Sequence, residues 1–145
     1  MEFLDKKIEE YIQLKTTDES ELLSKLNRET WAKVLMPRML SGHVQGRVLS
    51  LFSNLIKPKN IIEIGTYTGY SALCLAEGIS EKGELHTIEI NEEHALIAEK
   101  YFKESKYQKN IIIRRIVFNS TRKWQYHNFF KMNYFLIGRA NAGKS

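Results

Sequence analysis

The stretch that most limits how this chain can fold is Asn60–Ser71, N-I-I-E-I-G-T-Y-T-G-Y-S. Ile61, Ile62 and Ile64 form a short apolar run, broken only by Glu63, that stops at Gly65. Gly69 follows, and from Tyr70 the apolar spacing becomes helical. A strand, a glycine turn and a helix start in that order predict a nucleotide-type binding corner. Gly65 lets the backbone approach a ligand, and the helix after Gly69 opens with N–H groups that lack intrahelical partners. The two glycines alone would suit an ordinary strand-to-helix turn equally well. The deciding feature is Glu89, 24 residues after Gly65, near the end of the apolar run His86–Ile90. An acidic residue at about that distance falls on the neighbouring strand, where it can accept hydrogen bonds from ribose hydroxyls. The spacing favours an adenosine-containing ligand.

The rest of the chain supplies alternating elements around this corner. Leu4, Ile8, Tyr11 and Ile12 mark one helical face over Glu2–Leu14. Thr16-x-x-Glu19 reads as a capping box for a second helix carrying Leu22, Leu23 and Leu26. A third helix follows Ser41, with Val44, Val48, Leu51 and Leu55 as its apolar face, and Lys57-Pro58-Lys59-Asn60 stops it. Ser71–Glu77 predicts a short buried helix, Gly78–Gly83 a turn and Glu84–Ile90 a second strand. Asn91 can cap the next helix, whose apolar side holds Ala95, Ile97, Ala98, Tyr101 and Phe102, and Ile111–Ile113 starts a third strand. Strands alternating with helices predict a parallel sheet with right-handed crossovers, an α/β, Rossmann-like three-layer sandwich. The ligand would lie across the carboxyl ends of the first two strands.

A chain of 145 residues is one domain's worth, with the 43% hydrophobic and 27% charged content of a soluble globular protein. No apolar run approaches the ~18 residues of a membrane span, and M-E-F-L-D-K-K has no signal-peptide layout, so the expected compartment is the cytoplasm. The single Cys74 has no internal disulfide partner and reads as a small core residue. His43, His86, His94 and His127 show no pair at metal-ligand spacing on one helix face. Trp31 and Trp124 read as packing residues.

E-I-G-T-Y-T-G-Y-S followed by G-E-L-H-T-I-E-I-N resembles the cofactor site of class I S-adenosylmethionine-dependent methyltransferases. The branch it resembles is the O-methyltransferases related to the catechol and caffeoyl-coenzyme A enzymes. The likeness runs from about Met36 to about Ile113, roughly half of a whole enzyme. It implies S-adenosyl-L-methionine as cofactor and a small-molecule acceptor, aromatic ones included, methylated on a hydroxyl. Gly65 and Gly69 would allow close approach to the methionine and ribose parts. Glu63 would bind the charged amino-acid end, Tyr67 and Ser71 would line the same pocket, and Glu89 would take the ribose hydroxyls. Met39 would form an apolar wall near the sulfonium and Ser41 a polar contact to the methionine part; a loop and helix cap is the other reading of both. The N-terminal helices would pack beside the substrate entrance or against a partner subunit, as in a homodimer, or serve as cover for the sheet.

The likeness fades after Ile113. The expected division is an incomplete methyltransferase domain over 1–145, with N-terminal helices at 1–35, a cofactor-binding core at 36–113 and a divergent segment at 114–145. That last segment holds seven Lys and Arg, no Asp or Glu, and seven of the chain's sixteen aromatics. It carries +7 against −2 for the rest, which together make the net +5. Such a composition can bind nucleic acid, but no nucleic-acid-binding motif accompanies it. The preferred reading is sequence that no longer follows its family's pattern. Asn119 resembles the asparagine common after the third strand, and Asn133–Ile137 has the apolar character of a fourth. The resemblance implies a divalent metal (Mg) on acidic residues after that strand. Yet no carboxylate occurs anywhere after Glu104, so the hard oxygen ligands of such a site are missing from the chain. Gly138–Ser145, G-R-A-N-A-G-K-S, fits the Walker A pattern of a phosphate-binding loop. Three readings follow: an O-methyltransferase, a cofactor-binding or partner subunit without turnover, and a P-loop nucleotide-binding fragment.

Overall fold

β-Branched side chains pack well on a pleated surface, and the isoleucine-rich runs all become strands. The computed structural model describes residues 5–116 and the backbone of one further strand at Phe135–Gly138. In order, the elements are α1 (Lys6–Lys15), α2 (Glu21–Lys33), a 3-10 turn (Pro37–Met39), α3 (Gly42–Ile56), β1 (Asn60–Ile64), α4 (Tyr70–Ala76), β2 (Glu84–Glu89), α5 (Glu92–Glu104), β3 (Ile111–Arg115) and β4 (Phe135–Gly138). The strands form one sheet in the order β3-β2-β1-β4, and every pair is parallel. This is the expected Rossmann-like α/β arrangement. The expected fourth strand, Asn133–Ile137, is described from Phe135 and pairs with β1, Gly138 opposite Ile64; Asn133 and Tyr134 lie outside the described residues.

Both crossovers, through α4 and α5, step in the same direction across the sheet, so right-handedness puts both helices on one face. Ile61, Leu85 and Ile111 stand side by side in register on that face. They share a single core with Leu23 and Leu26 of α2, Leu73 and Leu75 of α4, and Ala98, Tyr101 and Phe102 of α5. The second helical layer of the expected three-layer sandwich is not seen among the described residues. Cys74 sits in the core as predicted, fully buried, and desolvation pushes its thiol up to about 12. Asn91 caps α5 as predicted, accepting from the N–H groups of Glu93 and His94.

One sequence expectation fails, and two helices form with a difference. The capping box at Thr16 does not form: α2 starts at Glu21 behind Ser20, whose hydroxyl accepts from Leu23 N–H. Thr16 instead donates to the Ile12 carbonyl at the end of α1, and Glu19 accepts from the Tyr70 hydroxyl across the molecule. The first helix starts at Lys6, capped by Asp5, and buries no residue; Ile8 and Tyr11 are exposed, and Leu4 lies outside the described residues.

The orientation of the third helix is the most consequential difference. Val44, Val48, Leu51 and Leu55 do share one face of α3, but that face points outward. The buried side consists of Gly46, Ser50 and Ser53, small residues that let α3 press against α4 and the turn after it. A Cβ on Gly46 would lie 2.7 Å from the Tyr70 ring, and one on Gly78 would lie 2.1 Å from the Ser53 carbonyl carbon. Polar bonds close the contact: Ser53 donates to the Leu75 carbonyl, and Arg47 makes a two-pronged ion pair with Glu77 at 2.6 and 2.9 Å.

Candidate functional site

The carboxyl ends of β1 and β2 lie side by side, and the turns leaving them form the corner that the sequence predicts. Gly65 has φ +94°, a conformation open to glycine without strain, and nothing lies within 4 Å of where a Cβ would stand. The backbone therefore faces open space at that point, as a ligand-approach position requires. Gly69 also has φ +94°, but for a different reason: its missing Cβ would lie 2.7 Å from the Phe102 ring. Packing of α5 requires glycine there, so the close-approach role expected of both residues is supported by geometry at Gly65 alone.

A small cleft in front of Gly65 is lined by Ser41, Gln45, Leu49, Glu63, Ile64, Gly65 and Ser71. It brings together four of the predicted residues, from the start of α3, the end of β1 and the first turn of α4. Ser41 stands at the N-terminal position of α3 but makes no side-chain cap there. Glu63 is 4% exposed, and its carboxylate accepts from Ser71 Oγ and Thr87 Oγ1, both at 2.5 Å. Thr87 is bonded in turn to Thr66 at 2.6 Å. These hydroxyls fix a buried carboxylate at the floor of the cleft, which suits it to a cationic group arriving from outside.

Glu89 occupies the adjacent corner and is 7% exposed. Its Oε1 accepts from the N–H groups of Ile90 (3.0 Å) and Asn91 (2.8 Å), and its Oε2 accepts from Tyr67 N–H at 2.6 Å. The carboxylate thus ties the turn after β1 to the turn after β2. Two carboxylate oxygens offer about four acceptor positions. Three are taken by these bonds, and Oε2 retains one for a hydroxyl donor.

Tyr67 is held from three sides. Its backbone is left-handed at φ +52°, unusual for a residue with a Cβ, and the Glu89 bond secures it. Its hydroxyl donates toward the carbonyls of Leu35 and Met36 at 3.3 and 3.2 Å, and its ring meets His94 edge-on at 4.7 Å. Met39 ends the 3-10 turn, partly exposed and two residues before Ser41, and is not among the residues lining the cleft.

Sequence reasoning missed Gln45, Leu49 and Ile64 in the lining, Thr87 beneath Glu63, and His94 beside Tyr67 and Glu89. Ser41, Gln45 and Leu49 recur every four residues, one helix face, so that spacing was the signal available for two of them. Thr87 is visible only once register sets it opposite Glu63. Among the described residues no group of three or more His, Cys, Asp or Glu could hold a metal ion. With no carboxylate after Glu104, the residues present do not fit the implied magnesium site. Residues 139–145 of the Walker A pattern, and Asn119, lie outside the described residues.

A parallel β3-β2-β1-β4 sheet, with a glycine turn after β1 and a carboxylate at the end of β2, defines the class of Rossmann-like proteins that bind adenosine-containing cofactors. A family model described as O-methyltransferase matches residues 13–134, and the chain belongs to that family. It is 34% identical over 83 residues to a catechol O-methyltransferase of Niastella koreensis, covering 57% of this chain and 38% of that protein. It is 42% identical over 67 residues to a caffeoyl-CoA O-methyltransferase of Medicago sativa, covering 46% of this chain and 27% of that protein. Among solved structures, the O-methyltransferase from Bacillus cereus in complex with SAH superposes with a TM-score of 0.69 at 28% identity, covering 75% of this chain and 49% of that one. The chain therefore spans half or less of the length of these relatives.

Proposed function

We propose that this chain is the cofactor-binding part of an S-adenosylmethionine-dependent O-methyltransferase, with residues 36–113 as the binding core, acting in the cytoplasm on a small hydroxyl-bearing acceptor. The single observation that carries the reading is the paired corner: Gly65 facing open space, Glu63 fixed beneath it and Glu89 with one acceptor position left. The relatives support it, since one of the solved structures was obtained with SAH bound. No helix among the described residues is long and apolar enough to cross a membrane.

When bound, the cofactor supplies a methyl group already activated on a cationic sulfur. The chain's own residues do the holding. The Glu63 carboxylate offers a fixed negative charge to the ammonium of the amino-acid end, with Ser71 and Ser41 beside it. Glu89 accepts from a ribose hydroxyl while keeping the Tyr67 turn in place. Gln45 and Leu49 wall the cleft from α3. Binding of this kind converts a bimolecular encounter into an oriented one. No step is assigned to a divalent metal, because the residues present do not fit its site.

That misfit favours a second reading on the same site: cofactor binding without turnover, the chain serving as a binding or partner subunit. Two copies are proposed to pair. Calorimetric titration with S-adenosylhomocysteine tests the binding core, and methylation of a catechol-type acceptor in the presence of Mg²⁺ separates the two readings. Binding with turnover establishes the enzyme, and binding without turnover the subunit. A chain that binds GTP with Mg²⁺ but not S-adenosylhomocysteine would overturn both and move the function to Gly138–Ser145.

A further inference from the structure

We propose that Thr87 and Thr66, neither of which lines the cleft, are positioning residues that aim the Glu63 carboxylate at the amino-acid end of the cofactor. The inference rests on the binding core proposed above and deepens it. The direction of each bond follows from elementary chemistry. A carboxylate only accepts, so Ser71 Oγ donates to Oε1 and Thr87 Oγ1 to Oε2, both at 2.5 Å. A hydroxyl has one proton, and Thr87 has committed its own to Glu63. Thr66 is therefore the donor in the 2.6 Å contact between the two threonines. The result is a one-way chain, Thr66 to Thr87 to Glu63, in which each bond polarises the next.

The surroundings of position 87 are those of a core residue. Register sets Glu63, Thr87 and Ile113 side by side, two residues along from Ile61, Leu85 and Ile111 and so on the same face of the sheet. Thr87 is 0% exposed and Thr66 1%. Valine has the shape of threonine and would fill that row with no polar atom to satisfy, whereas a buried hydroxyl is costly unless it is hydrogen-bonded. The Thr87 hydroxyl is matched to Glu63 on one side and Thr66 on the other. Thr66 belongs to the glycine turn, next to Gly65, and its N–H donates to the Ile88 carbonyl at 3.1 Å. The next residue, Tyr67, donates its N–H to Glu89. Consecutive residues of one turn thus serve the carboxylates proposed for the two ends of the cofactor, Thr66 through its hydroxyl and Tyr67 through its backbone.

Calorimetric titration of the full chain, of Thr87→Val and of Thr87→Ser with S-adenosylhomocysteine tests this. Valine keeps the shape and removes the hydroxyl; serine keeps the hydroxyl and leaves a methyl-sized gap. Positioning predicts that Thr87→Val binds about tenfold more weakly, the scale of one hydrogen bond to a charged group, and that Thr87→Ser stays within about twofold of wild type. Packing alone predicts the reverse order. 5′-Methylthioadenosine keeps the adenosine and the sulfur but lacks the amino-acid end, so its affinity should be the same for wild type and Thr87→Val. Thr66→Val removes the first donor and leaves the bond from Thr87 to Glu63, and it covers the case in which Thr87→Val does not fold. It should weaken S-adenosylhomocysteine about threefold and 5′-methylthioadenosine not at all, and an unchanged affinity there overturns the proposal. So does a Thr87→Val that binds as wild type, a Thr87→Ser as weak as Thr87→Val, or an equal loss of both ligands; each of these leaves the binding core standing. A wild type that does not bind S-adenosylhomocysteine overturns the binding core and the positioning together.

Discussion

Glutamine at position 89 tests the corner most directly. The native carboxylate accepts from Ile90 and Asn91 on one oxygen and from Tyr67 on the other. An amide has one acceptor oxygen and an NH2 in place of the second. Turning the oxygen toward the pair of N–H groups keeps two bonds and sets the NH2 against Tyr67 N–H, donor facing donor. That N–H belongs to a buried residue and makes the shortest of the three bonds, at 2.6 Å. Losing a bond to a charged acceptor costs about 1.5–3 kcal/mol. Tyr67 would also keep its left-handed backbone without the contact that secures it. For a domain of this size the loss corresponds to a thermal midpoint lower by about 4–10 °C. The acceptor position proposed for ribose is on the same oxygen, so affinity for S-adenosylhomocysteine should fall about 10- to 150-fold over the same range of energy. Thermal unfolding and calorimetric titration of Glu89→Gln read the two effects separately. A lower midpoint with unchanged affinity would refute the ribose assignment and leave Glu89 as a tie between turns. No change in either would refute the whole account of the corner.

Other substitutions probe the scaffold. Gly69→Ala would place a methyl 2.7 Å from Phe102 on a backbone at φ +94°, and chemical denaturation should show a loss of about 2–4 kcal/mol from overpacking and strain together. Hydrogen bonds from Lys100, then Tyr101 and Lys33, hold the Glu29 carboxyl down at about 2. Its folded value lies below its unfolded one, so its contribution is fully present above about pH 4.5 and is lost as pH falls through about 2. Glu29→Gln should therefore flatten the stability profile over that window and leave the curve above it parallel to wild type. Cys74, buried and raised to about 12, should react with a thiol reagent at pH 8 only at the rate of unfolding; faster labelling would show that α4 opens locally.

The elements of the cofactor corner were legible because each depends on local chemistry. Isoleucine runs become strands, positive φ selects glycine, and Asn91 caps the helix it precedes. Glu89 was legible because strand-to-strand spacing in a crossover unit is narrow enough to place it one strand away. Other features depend on partners distant in sequence. Glu63 looked like an interruption in an apolar strand, and only register with Thr87 and the approach of Ser71 show how its charge is held. Gly69 looked like a ligand glycine, and Phe102, 33 residues later, gives it a packing role.

What the amino-acid sequence determined by itself was the order and kind of elements, hence the parallel sheet and the place where a ligand can enter. It also determined the family, because the motif from Glu63 to Ser71 and the carboxylate at Glu89 are short-range patterns. Orientation was decided only by the tertiary structure. The stripe on α3 is a correct helical period, but periodicity says that a face exists and not which way it turns. Gly46, Ser50, Ser53 and Gly78 let two helices approach closely, and that approach, with the Arg47–Glu77 pair, directs the polar side inward and leaves the apolar side outside. Burial is a property of what meets a surface, and no single segment of sequence contains both partners.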